Sequence, residues 1–200
     1  HGDDRRQRQM CIRDRVLVLL VILAGSLVRM TGSGMGCPDW PKCFGYLIPP
    51  TNIEKITWKP EREYGKGVMI LYNKSFYNSR KKFTSKEKFD VANWTKYTKH
   101  DYTKFSPMNT WFEFINRLIG AIAGLSTLLM FIFSFNYFKR NKKIIFFSAL
   151  IVFSMGFQAW LGKQVVDSNL APYKISIHML MAILIVCMLI YLIKKANVKY

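Results

Sequence analysis

The sequence predicts an all-α integral membrane protein, a four-helix transmembrane bundle with a large external loop between helices 1 and 2. Three observations carry this prediction. Half of the 200 residues are hydrophobic, yet the formal net charge is +18. The charge is segregated: Val16–Val28, Leu118–Phe138, Ile144–Leu161 and Ile175–Ile193 contain no Lys, Arg, Asp or Glu, and the basic residues lie between and beyond them. The apolar runs are also long. A run of about 18–20 such residues crosses roughly 30 Å of hydrocarbon as a helix, and three of the four reach that length once tolerant ends such as Trp111–Arg117 are included. This combination suits neither a soluble enzyme nor a nucleic-acid-binding domain.

Helix 1 is predicted over about residues 16–34. Its uninterrupted apolar core, Val16–Val28, rises only about 20 Å. Upstream, "HGDDRRQRQMCIRDR" holds five arginines and three aspartates and has no methionine at position 1. Arg-rich flanks are ordinary on a cytoplasmic side, but "MCIRDR" resembles translated adapter sequence. Residues 1–15 are therefore expected to be a non-native tail ahead of a membrane domain over 16–200. In that case Cys11 carries no function.

The chain leaves helix 1 through "VRMTGSGMGCPDWPKCFGYLIPPT" (28–51). Gly32, Gly34 and Gly36 permit sharp turns, and Pro38, Pro41, Pro49 and Pro50 stiffen the exit. Cys37 and Cys43 are separated by five residues, which matches neither a C-x-x-C redox motif nor a zinc-ligand pattern. Outside the cytoplasm such a pair forms a disulfide, either a staple for the hinge or a redox-active couple. The external insertion, about 44–108, scatters aromatics through a basic background without a clean period. It is expected to form a small, partly helical subdomain or an amphipathic piece on the membrane surface. His100, within it, is expected to be a solvated loop histidine, and RNA binding is set aside for an external membrane loop.

Helices 2, 3 and 4 are predicted over about 111–137, 144–162 and 175–193. The short loop "KRNKK" (139–143) and the tail "KKANVKY" (194–200) are basic, and the positive-inside rule places both in the cytoplasm. The insertion carries thirteen Lys/Arg against six Asp/Glu, but loops of that length translocate largely regardless of charge. The predicted topology is N-in and C-in, with Trp111, Trp160 and Tyr173 as interfacial anchors. Cys187 is expected to be a small buried hydrophobe.

Chemistry is sought where polar groups enter apolar helices, since such groups are costly there and mark functional sites. Glu113, Asn116, Arg117, Gly120 and Gly124 recur along one stripe of helix 2. Gln158 stands near the outer end of helix 3, and His178 about one turn into helix 4. An up-down order brings these residues to one depth. Each has a plainer reading: His178 bonded to a loop carbonyl, Glu113 and Arg117 as an i, i+4 ion pair, the glycines as a packing motif. Together they read as a haem-sized redox site, with imidazole as the iron ligand and Arg117 suited to a propionate.

Four stretches, "VRMTGSGMGCPDWPKCFG" with the following "IPPT", "TWFEFINRLIGAIAG", "QAWLGKQVV" and "NLAP" ahead of His178, resemble the haem A synthase family of cytochrome oxidase assembly, particularly its Bacteroidetes-type members. The resemblance covers about Val16 to Tyr200. It implies the first, substrate-side half of an eight-helix protein of the bacterial inner membrane, multi-pass, with its site near the periplasmic face. The implied activity is oxidation of the C8 methyl of haem O to a formyl group, giving haem A. Glu113 would be the catalytic acid/base, and His178 the ligand or neighbour of the substrate haem iron. Arg117 and Asn116 would be haem-binding, and Cys37 and Cys43 the external disulfide. Asn116 departs from the histidine common at its position, and asparagine is a poor iron ligand. A haem b cofactor is implied for the absent C-terminal half, so this fragment alone is expected to be inactive. Implied partners are membrane lipid, haem O, haem O synthase, a respiratory electron acceptor and a second copy of the chain, with no nucleic acid. Two other readings stand beside it. A quinone-linked disulfide oxidoreductase would need a second external cysteine pair, and a non-catalytic membrane assembly protein would need neither Glu113 nor His178.

Overall fold

The computed structural model describes residues 2–98, 105–139 and 141–197. His100 lies outside the described residues. The chain divides into two compact units: Val28–Phe114, and His1–Leu27 together with Ile115–Tyr200. The long helices are α1 (Gly2–Met30), α3 (Pro107–Ser134), α4 (Lys142–Asp167) and α5 (Pro172–Asn197). A one-turn helix α2 (Ile53–Ile56) and strands β1 (Glu63–Tyr64), β2 (Met69–Tyr72), β3 (Ser75–Ser79), β4 (Phe83–Thr84) and β5 (Trp94–Lys96) lie between α1 and α3.

In the helical unit, three segments among the described residues are long and apolar enough to cross a membrane: Pro107–Tyr137, Lys142–Asp167 and Pro172–Lys195. Their outward faces carry Leu125, Ile132, Phe153, Leu180 and Ile183, all exposed. In water such faces would be untenable. Helices that are apolar all round belong in lipid, and the protein is a mostly helical, multi-pass integral membrane protein. Cys11 and Val18 of α1 bury against Met130, Ile151, Ile185, Leu189 and Leu192 of the other helices. Asp14 of α1 is fully buried, accepts a hydrogen bond from the Ser126 hydroxyl and pairs with Arg13 at 3.2 Å. Cys187, expected to be buried, is exposed, as an apolar residue on a lipid-facing surface can be.

The turn between α4 and α5 explains "NLAP". Asn169 (φ 53°) sits just past α4, where its N–H reaches the carbonyl of Val166 at 3.1 Å, while Leu170 N–H reaches that of Val165 at 3.0 Å. This pair of bonds closes the helix end with a left-handed residue. Pro172 then occupies the first position of α5, where its missing N–H costs nothing.

The unit Val28–Phe114, which holds the predicted external insertion, differs from expectation. Among its described residues helix is confined to α2, to a 3-10 turn at Val91–Asn93 and to the ends of the long helices, and the body is β-structure. β2, β3 and β5 form an antiparallel sheet, and β1 pairs with β4. The β2–β3 hairpin turns through Asn73 (φ 47°) and Lys74 (φ 59°), the two-residue turn whose twist matches that of strands. Successive residues of a strand face opposite sides. Met69 accordingly packs with Phe44, Ile56 and Phe76, and Ile70 with Tyr64, Val68 and Trp94. Aromatic burial, including Tyr72 stacked on Phe89 at 4.0 Å, replaces helical amphipathicity as the organising force.

Candidate functional site

The hinge is built first by the end of α1. Gly32 (φ 65°) donates to the Arg29 carbonyl at 3.3 Å, and Ser33 N–H donates to that of Val28 at 2.8 Å. This glycine-terminated cap stops the helix and turns the chain. Cys37 and Cys43 then form a disulfide, S–S 2.03 Å, with both residues buried. Inside the loop it closes, the Asp39 carboxylate accepts from the N–H groups of Phe44 (2.6 Å) and Gly45 (2.8 Å). Tyr97 donates its hydroxyl to the Pro38 carbonyl at 3.0 Å, which ties the loop to the β-structure.

Glu113 belongs to this same unit. It is 4% exposed, and its Oε2 accepts the Cys37 N–H at 2.8 Å. One turn earlier, fully buried Thr110 donates its hydroxyl to the Gly36 carbonyl at 2.9 Å. Gly36 packs directly on the backbone of Asn109 and Thr110, and a Cβ there would collide with the Asn109 carbonyl. A carboxylate accepting a backbone N–H is a charge-assisted bond, the stronger kind. The structure thus joins Glu113 to Cys37, two residues picked from sequence for separate reasons. Thr110 and Gly36 were not singled out in this role. A threonine at a helix start signals capping, and nothing in a linear pattern pairs it with a glycine 74 positions away.

In the helical unit the polar residues form a second group. Gln158 of α4 donates through Nε2 to the His178 carbonyl of α5 at 3.0 Å and lies 3.5 Å from His178 Nε2. The imidazole lies over the bare backbone of Gly162, where a Cβ would meet Cε1 at 3.4 Å. His178 Nδ1 and Gln158 Oε1 are buried with no hydrogen-bond partner. On α3, Asn116 Oδ1 is likewise buried and unpartnered, and it lies 3.7 Å from where a Cβ on Gly25 of α1 would stand. Arg117, the next residue, is half-buried. A Cβ at Gly120 or Gly124 would meet nothing within 4 Å, so packing among the described residues does not require these glycines. Buried polar atoms without partners are rare in native proteins and call for an explanation. Imidazole is a side chain with the chemistry to ligate a haem iron, and Gly120 and Gly124 leave an uncrowded stripe along α3.

The family model for "Cytochrome oxidase assembly protein" matches residues 9–199. The chain belongs to that family. It is similar to the haem A synthase of Shewanella oneidensis (26% identical over 177 residues, 88% of this chain and 42% of that protein). It is also similar to those of Bartonella tribocorum (24% over 198 residues, 94% and 48%) and Ehrlichia canis (28% over 175 residues, 84% and 43%). The chain therefore spans less than half the length of these relatives. No solved structure is significantly similar to it. The family is thus one of cytochrome oxidase assembly, and the relatives it resembles carry the name haem A synthase.

Proposed function

We propose that this chain is the substrate-side, N-terminal portion of a haem A synthase, which oxidises the C8 methyl of haem O to a formyl group. The observation that carries the reading is His178, a half-buried histidine in a long apolar helix whose Nδ1 is enclosed without a hydrogen-bond partner. Converting a methyl to a formyl group removes four electrons and inserts one oxygen, so the enzyme needs a respiratory acceptor. In this reading His178 holds the substrate iron, Gln158 orients His178, and Arg117 pairs with a propionate. Glu113 takes the role the resemblance implies for it, catalytic acid/base, since a carboxylate can act as general base. Asn116 contributes a polar contact but not an iron ligand. Bound haem b would supply electron transfer. Among the described residues His178 is the one histidine.

The disulfide supports an oxidising compartment for the external unit, hence the inner membrane with the insertion and the site toward the periplasm. The basic 139–143 loop and C-terminal tail then face the cytoplasm. A quinone-linked disulfide oxidoreductase gains no support, because among the described residues Cys11 and Cys187 are free and form no second pair. The test is pigment extraction from cells lacking their own haem A synthase and carrying the full gene. His178→Ala should leave membrane insertion intact and shift the extract from haem A to haem O. Normal haem A from that variant would refute the ligand role.

A further inference from the structure

We propose that Thr110 is a positioning residue for Glu113, acting through the single peptide unit between Gly36 and Cys37. That unit is gripped at both ends by one turn of α3. Its carbonyl accepts the Thr110 hydroxyl at 2.9 Å, and its N–H donates to Glu113 Oε2 at 2.8 Å. Thr110 and Glu113 stand three residues apart, the spacing that puts side chains on one helix face. The peptide is rigid and planar, so fixing its carbonyl fixes the direction of its N–H. Glycine at 36 is what lets the peptide approach, because a Cβ would strike the Asn109 carbonyl. Thr110 and Glu113 are 0% and 4% exposed, so water does not replace a lost partner cheaply. The Cys37–Cys43 disulfide holds the far side of the same residue. The loop therefore supplies a fixed donor that sets where the Glu113 carboxylate points, and Thr110 sets the donor.

This rests on Glu113 serving the oxidation proposed above, and the experiment separates the two. Four variants of the full protein, Thr110→Val, Thr110→Ser, Glu113→Gln and the double Thr110→Val/Glu113→Gln, are compared in cells lacking haem A synthase. The readouts are the haem A to haem O ratio, the amount of protein in the membrane, and the Cys37–Cys43 disulfide by thiol labelling. Thr110→Val keeps the shape and removes the donor. It should lower the ratio about tenfold or more with protein level and disulfide unchanged, while Thr110→Ser, which keeps the hydroxyl, should recover to within about twofold of the parent. The double variant should be no worse than Glu113→Gln alone, as for two residues acting as one unit. A parental ratio from Thr110→Val with Glu113→Gln inactive overturns the positioning role and leaves the function standing. A serine variant as poor as valine also overturns it, since the methyl rather than the donor would then matter. A parental ratio from Glu113→Gln overturns both the role of Glu113 and the role of Thr110.

Discussion

The two units obey opposite rules about what is inside. In Val28–Phe114 a core of large side chains is hidden, with Trp94, Tyr64, Phe44, Ile56, Met69 and Ile70 all fully buried, while Trp40, Leu47 and Ile48 stay exposed. Its buried polar groups are mostly paired. The Tyr64 hydroxyl accepts from Lys59 N–H at 2.8 Å, Ser85 Oγ donates to the Lys59 carbonyl at 2.7 Å, and Ser79 Oγ accepts from Val68 N–H at 3.0 Å. Asn78 Oδ1 is an exception. In the helical unit large apolar side chains face outward, Phe153 at 72% and Leu180 at 59% exposed. There unpartnered polar atoms of Gln7, Asp14, Asn116, Ser148, Gln158 and His178 lie inside. Val28–Phe114 folds as a water-soluble domain does, by burying apolar surface. Membrane helices gain nothing from hiding leucine in lipid, so their packing is loosely specified and their polar residues carry the specificity. The same observation, an orphaned amide or imidazole, therefore means different things in the two places.

If that contrast holds, a core substitution should damage the external unit by folding and nothing else. Trp94 is 1% exposed and packs edge-on to Tyr64 at 5.1 Å and to Phe83 at 5.2 Å. Trp94→Ala should destabilise the unit by about 3–5 kcal/mol, read as protease sensitivity of residues 52–98 in membrane preparations. Cleavage no faster than in the parent would mean the β-structure is not an independently packed core.

A polar substitution in the helical unit should do the reverse, leaving stability alone and striking chemistry. Gln158→Ala removes the donor to the His178 carbonyl and the group beside its ring. Groups that orient a metal-ligating histidine typically contribute about 10–100-fold in affinity or activity. The expected outcome is a haem A yield reduced by that order with normal protein level. A drop in level matching the drop in yield would make Gln158 a structural tie between α4 and α5 instead.

What could be read from the sequence divides along the same line. α3, α4 and α5 were legible because each contains a charge-free run about as long as the hydrocarbon is thick, and Glu113, Gln158 and His178 because they interrupt or border such runs. The external strands were not. They span two to five residues, so a period of two repeats only once or twice, and both faces of β2 are buried, which erases alternation altogether. One local signal was present, the polar pair Asn73–Lys74 between "MILY" and "SFYNS", which marks a hairpin by its position between aromatic-rich runs. The link between Thr110 and Gly36 had no signal at all. It exists because the hinge folds back on the start of α3, and that is a tertiary fact.

The smallest expected effect is the sharpest discriminator. Phe153 is among the most exposed large residues of α4, and in a soluble protein Phe153→Ala would improve solubility without any cost. In lipid it should be silent too, because acyl chains fill the space the ring vacates and contact apolar atoms as well as protein does. Silence alone would not distinguish the two environments, so the informative partner is Phe153→Lys. On a water-facing helix lysine costs almost nothing. At the centre of a spanning helix it costs about 2.5–3.5 kcal/mol of insertion free energy, which should show as a reduced membrane-inserted fraction in a glycosylation-mapping or alkali-extraction assay. Equal insertion of the alanine and lysine variants would place that face of α4 in water, and with it would go the reading of orphaned polar atoms as functional.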